Sequence, residues 1–227
     1  MERYDRQVRL DEIGPAGQQK LRAASVLVVG VGGLGSPISL YLAGAGVGRI
    51  GLVDDDVVSI HNLHRQVLYG EDQVGQSKAR CAAERLGKLN SEVQVEPHAM
   101  RLTEENAEAL ISRYDLVVDG CDNYDTRYLI DRTCGKLGKP YVYGAICGFT
   151  GQVSVFHYGP NPLAYTDLYP EPPSVAPDRR VIGPTPGITG AVEAHEAIKV
   201  ICGFGDVLAR RLWMFDLRTM HSEVVAW

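Results

Sequence analysis

Three stretches of this chain combine residue types and spacings suited to phosphate chemistry. The first is LVVGVGGLGSP, Leu27 to Pro37, where an apolar run breaks into Gly30, Gly32, Gly33, Leu34 and Gly35 in the pattern G-x-G-x-x-G. Glycines there permit a tight turn and let backbone N–H groups approach a phosphate at a helix N-terminus. The second, DDDVVSIHNLHRQ, supplies Asp54 and Asp56, then Asn62, Arg65 and Gln66 within about one helical turn. Lys78 follows twelve residues after Gln66, in VGQSK. The third, DGCDN, places Asp119 and Asp122 after an apolar run, with Asn123 beside them.

The glycine loop alone suits NAD, FAD or ATP, and an acid about 20 residues on is the ribose ligand of such sites. The cations separate the ligands. A dinucleotide pyrophosphate is largely satisfied by the loop and the helix N-terminus. A triphosphate carries more charge, and a pyrophosphate leaving group gains more. An Arg and a Lys converging on it would stabilise that charge. The chain has no G-x-x-x-x-G-K-[ST], so the lysine is not a P-loop lysine. Taken singly, Arg65 and Lys78 read as surface charges; with the loop and the acids they read as ATP ligands. A carboxylate in DGCDN can hold Mg²⁺, which favours one or two carboxylates plus phosphate oxygens. One of Asp122 and Asn123 is expected to cap the following helix instead.

These residues need a scaffold that brings strand ends together. SVLVVG reads as a buried parallel strand, followed by a helix through SPISLYLAGAG. RIGLVDDD, VQVEPHAM and DLVVDGCDN read as further strands, PYVYGAI and QVSVFHY as two more. SKARCAAERLGKLN, TEENAEALISRY (capped by Thr103) and YDTRYLIDRTCGKLG read as the helices between them. Residues 159–186 are proline-rich and aperiodic, a long loop of the kind often tied to function. GITGAVEAHEAIKVICG returns to helix, and RLWMFDLRT with HSEVVAW forms an antiparallel hairpin. The expected fold is α/β: a Rossmann-like, mostly parallel sheet with helices on both faces, extended by antiparallel strands at the C-terminal end. It forms one domain, 1–227, with a nucleotide-binding half at 1–150 and an acceptor-binding half at 151–227.

The 227 residues suit one such domain, and 45% hydrophobic with 22% charged is ordinary for a soluble protein. The net charge of −5 argues against nucleic acid or anionic membrane as a partner. The charged N-terminus lacks a signal core, and no apolar run approaches a membrane span. Five scattered cysteines without a CxxC suggest reduced thiols and a cytoplasmic setting.

The ordered set RYDRQ (3–7), VVGVGGLGSP, LVDDDVVSIHNLHRQ, VGQSKA, DLVVDGCDN, GQVSVF and GITGAVEAHEAIK resembles the ThiF/MoeB/HesA family over essentially the whole chain. The family comprises bacterial relatives of the ubiquitin-activating enzymes. The resemblance implies an adenylyltransferase. The C-terminal Gly-Gly carboxylate of a small ubiquitin-like, β-grasp sulfur-carrier protein attacks the α-phosphate of MgATP, giving an acyl-adenylate and pyrophosphate. A sulfur-donor protein then converts the adenylate to a thiocarboxylate, for thiamine thiazole or molybdopterin synthesis, with thiamine weakly preferred. Carried over by position, Asp54 and Asp56 lie on the nucleoside side, Asn62, Arg65, Gln66 and Lys78 surround the phosphates, and Asp122 holds Mg²⁺. Arg6 matches an arginine that enters the partner subunit's site, which implies a homodimer and a finger acting in trans.

The chain departs from the family in two places. Relatives bind zinc through two CxxC pairs; here the first pair's positions are Ala164 and Asp167, and the second would fall beyond Trp227. No zinc site is expected, and His157, His195 and His221 match no metal spacing. The crossover-loop cysteine of ThiF-type relatives is replaced at Ala176 or Pro177, so no covalent intermediate is expected there. Cys121, Cys134 and Cys147 read as buried structural thiols. Asp178, Arg179 and Arg180 are candidate contacts for the carrier's tail. The alternatives are adenylation of another acceptor, a peptide or a modified tRNA, or an NAD-binding oxidoreductase, in which Arg65, Lys78 and Asp122 would have no task.

Overall fold

The computed structural model describes residues 2–174, 178 and 180–227. Two helices, α1 (Asp5–Val8) and α2 (Gly14–Ala23), lead into β1 (Ser25–Val29), which is buried along its whole length. α3 (Gly35–Ala45) returns the chain to β2 (Arg49–Val53), and α4 (Lys78–Leu89) to β3 (Gln94–His98). α5 (Glu104–Ile111) precedes β4 (Leu116–Asp119), and α6 (Tyr124–Leu137) precedes β5 (Tyr141–Cys147). The second half adds β6 (Thr150–Phe156), α7 (Tyr165–Leu168), α8 (Pro184–Cys202), β7 (Arg211–Asp216) and β8 (His221–Ala226).

The strands form one eight-stranded sheet in the order β3-β2-β1-β4-β5-β6-β7-β8. The first five are parallel, and β6, β7 and β8 join antiparallel. β1 alternates between two cores. Val26 and Val28 face Ile38, Leu42 and Ala197 of α3 and α8; Leu27 and Val29 face Ile111 and Ile130 of α5 and α6. Burying each such side chain contributes about 1.5–3 kcal/mol, which is why the central strand is apolar on both faces.

The architecture matches the sequence reading, with four local differences, the first being that α1 has no counterpart in it. α2 has no counterpart in that reading: Gly14, Pro15 and Gly17 break its pattern, yet Leu21 is fully buried and Lys20 Nζ donates to the Cys202 carbonyl at 2.6 Å. α7 interrupts the long loop. α8 begins at Pro184 rather than Gly187, because a proline at the first helical position loses no hydrogen bond. Ala176, Pro177 and Arg179 lie outside the described residues.

Candidate active site

The strand order reverses between β1 and β4, and the loops leaving these two strands meet. Gly30 has φ +87° and donates its N–H to the Val53 carbonyl at 2.8 Å; Gly120 donates to the Val29 carbonyl at 2.7 Å. A Cβ on either Gly35 or Gly120 would overlap the Gly30 carbonyl. Gly30, Gly35 and Gly120 are therefore demanded by backbone packing. Gly32 and Gly33 are crowded by side chains instead: a Cβ on Gly32 would meet the Gln66 amide at 3.3 Å, and one on Gly33 would meet Pro186 at 3.3 Å and Arg65 Cδ at 3.7 Å. Both glycines line the cavity beside Gln66 and Arg65.

A cavity of about 1200 Å³ opens at this crossover. Its wall includes Gly30, Gly32, Gly33 and Leu34, the acids Asp54 and Asp56, the turn residues Asn62, Arg65 and Gln66, then Lys78, Asp122 and Asn123. Among the described residues the structure thus gathers the sequence candidates except Gly35, Arg6 and the inward-turned Asp119. Gly35 is buried in the first turn of α3, outside the lining. Arg6 is exposed on α1, whose neighbour Tyr4 accepts a 2.8 Å hydrogen bond from Asn90 Nδ2 and packs against Gly46. Gly46 ends α3, and 11 residues at 1.5 Å each put it about 16 Å from the glycine loop. Within one chain, Arg6 is remote from the cavity.

The charges in the cavity restrain one another. Lys78 is buried at the N-terminus of α4, where the helix dipole disfavours a cation. Its Nζ lies 2.9 Å from Asp56 Oδ2, and Asp56 itself is open to solvent. Asp54 accepts the Val31 N–H at 2.8 Å and the Asp56 N–H at 2.9 Å, so its carboxylate fixes the glycine loop. Burial raises the Asp54 pKa, while the Val31 N–H and Lys78 oppose that rise. Arg65 is steadied by the His61 carbonyl at 3.2 Å and its stem passes Gly33. Gln66 is buried, and its Oε1 has no hydrogen-bond partner among the described residues. α3 starts without a side-chain cap. A helix start without a side-chain cap and two cations near the glycine loop suit phosphate, and the orphaned Gln66 acceptor suits a donor such as a ribose hydroxyl.

The third motif divides its work. Asn123 caps α6, its Oδ1 accepting the Thr126 N–H at 3.0 Å, and Asp122 is exposed on the cavity wall. Asp119 turns inward, accepting from Arg127 Nε at 3.1 Å and from the Tyr141 hydroxyl at 2.9 Å. Arg127, a residue sequence reasoning missed, also holds the carbonyls of Cys121 and Gly144. No local pattern marks it, because its partners come from three different elements. Cys81, Cys121, Cys134 and Cys202 are buried, with burial pushing their thiols up. Cys147 is not a buried thiol: it is exposed on the cavity wall, where β5 runs past the cover of its helices.

A doubly wound sheet with a phosphate cradle at its switch point defines a nucleotide-binding α/β protein. The family model described as ThiF family matches residues 4–226. The chain is 48% identical to a sulfur carrier protein adenylyltransferase of Thermus thermophilus, over 95% of this chain and 83% of the relative. It is 45% identical to the adenylyltransferase and sulfurtransferase MOCS3-1 of Zea mays, over 98% of this chain but only 48% of that one. The chain spans about half the length of the MOCS3 relatives it matches. Crystal structures of PaaA (TM-score 0.84, 22% identity, 99% of this chain and 72% of that one) and of E. coli MccB with MccA (0.84, 23%, 99% and 71%) share the fold. The chain belongs to the ThiF family and is an adenylyltransferase of the ThiF and MoeB type.

Proposed function

We propose that the chain adenylates the C-terminal Gly-Gly carboxylate of a ubiquitin-like sulfur-carrier protein. The carrying observation is that Arg65, which passes Gly33, and buried Lys78 line one cavity with the glycine loop and Asp122. A carrier carboxylate oxygen attacks the α-phosphate of ATP, a C–O–P linkage forms, and pyrophosphate leaves with the bonding electrons. Arg65 and Lys78 stabilise the charge gathering on that leaving group. Lys78 is held by Asp56 until nucleotide phosphate competes for it. Asp54 keeps the loop in register through Val31, and Asn62 and Gln66 supply neutral polar contacts. Asp122 is the hard, exposed carboxylate suited to Mg²⁺, which when bound would neutralise part of the phosphate charge. Arg6 belongs to a second copy's cavity in a homodimer, which accounts for its distance from its own. The adenylate then passes to a sulfur-donor protein.

The similarity to a sulfur carrier protein adenylyltransferase supports a sulfur carrier as acceptor. Carrier-dependent ATP–pyrophosphate exchange, run with thiamine-type and molybdopterin-type carriers in parallel, tests the reading and assigns the pathway. Exchange with one carrier is the expected result. Tight NADH binding, with no ATP-dependent activity, would overturn it.

A further inference from the structure

Asp131, on α6, is buried and does not itself line the cavity; among the described residues it makes four hydrogen-bond contacts. Its Oδ1 lies 2.7 Å from His157 Nε2 and accepts the Tyr165 N–H at 2.8 Å; its Oδ2 takes the Thr166 N–H and hydroxyl at 3.4 and 3.3 Å. His157 follows β6 with φ +54°, a strained backbone for a non-glycine residue that persists only where its surroundings hold it. Gly135, one turn beyond Asp131, leaves room for the His157 ring, whose Cε1 lies 3.0 Å from where a Cβ would be. Asp131 and His157 therefore seat the start of α7.

What α7 carries does face the cavity. Tyr165 and Tyr169 line it with their rings 5.0 Å apart. The Tyr169 hydroxyl accepts from Gln152 Nε2 at 2.8 Å, and the same amide nitrogen donates to the Tyr143 hydroxyl at 2.6 Å. Two donated bonds fix the Gln152 amide plane, leaving its carbonyl oxygen an oriented acceptor. Gln152, on β6, pairs with Ala145 of β5, and β6 stands three strands from the glycine loop's β1. Flat rings beside an oriented acceptor suit an extended peptide backbone with little side chain.

We propose that His157 and Asp131 are positioning residues for this wall, and that Tyr169 and Gln152 receive the acceptor's extended C-terminal tail; this rests on the adenylation reading. His157→Asn tests it. Asparagine tolerates the left-handed backbone but is too short to reach Asp131. With a Gly-Gly-ended carrier as substrate, KM for the carrier rises about tenfold or more while KM for ATP stays within about twofold. Hydrogen exchange quickens at residues 165–169 and stays unchanged in α3. Asp131→Asn, which keeps the shape and one acceptor oxygen, gives a smaller shift of the same kind. Equal rises in both KM values would overturn the proposal, as would faster exchange at 165–169 with an unchanged carrier KM. A wild-type chain with no carrier-dependent turnover would refute the adenylation reading, and this tail assignment with it, before any variant is compared.

Discussion

The carboxyl group of Glu193 occupies the space where a side chain on Gly144 would begin. Glu193 lies on α8 and Gly144 on β5, and a Cβ at Gly144 would overlap the carboxyl atoms. Glu193 is fully buried, and neither of its oxygens has a hydrogen-bond partner among the described residues. Burial first, and the charge of Asp119 second, push its pKa well above the ordinary 4.5, against the pull of Arg127. Above pH 4.5 the unfolded chain releases this proton while the folded chain keeps it. Stability is therefore lost as pH rises from about 4.5 toward the raised folded value. Glu193→Met, of similar length, removes that slope and should raise unfolding free energy near pH 8 by about 1–3 kcal/mol. Gly144→Ala should lower it by about 1–3 kcal/mol or more through overpacking. Urea unfolding at pH 5, 7 and 9 measures both; a variant slope equal to the wild type's would refute the assignment.

Lys78→Met separates catalysis from stability. The partner it abandons, Asp56, is 71% exposed and returns to water at little cost. Thermal midpoint should hardly move. Pyrophosphate exchange should fall by about 10²–10³, the range for removing one preorganised donor from a developing charge. A collapse in midpoint with intact exchange would make Lys78 a structural residue.

Arg127→Met should show the opposite pattern. Asp119 would be left buried with the Tyr141 hydroxyl and Cys121 as neutral partners and without its counter-charge. Breaking such a pair from one side costs about 3–5 kcal/mol. Chemical denaturation should show that loss, whereas Asp122→Ala, at an exposed wall position, should cost no more than about 1 kcal/mol. Equal destabilisation by both would contradict the division of labour within DGCDN.

The contrast between these residues shows what the sequence could disclose. Gly30 to Gly35 were legible because a β-branched run, a glycine cluster and a helix stand next to one another in the chain. Lys78 and Arg65 became legible only in company with that loop. Arg127 was invisible, since a helical arginine looks alike whether its partner is water or a carboxylate eight residues back on a strand. Cys147 was misread for a related reason: PYVYGAIC is uniformly apolar, and only the tertiary arrangement reveals that the strand outruns its cover. α2 was lost to its own glycines and proline, its burial being set by α8 across the fold. The pairing of His157 with Asp131 joins residues 26 apart and has no signature in either segment.

Arg6 gives the sharpest test of assembly. If its guanidinium serves a second copy's cavity, each site needs Asp122 from one chain and Arg6 from the other. Arg6→Ala and Asp122→Ala should each lose exchange activity alone. When the two are mixed and allowed to reassort, about half the dimers are mixed, and in each of these one site has both residues intact. Activity should return to roughly a quarter of the wild-type value at equal mixing. An Arg6 acting within its own chain gives the same mixture no such return, because every site then lacks one residue or the other. Exchange rate measured against mixing ratio, peaking at equal amounts, distinguishes the two arrangements, and size-exclusion chromatography of the mixture confirms that the chains have exchanged partners.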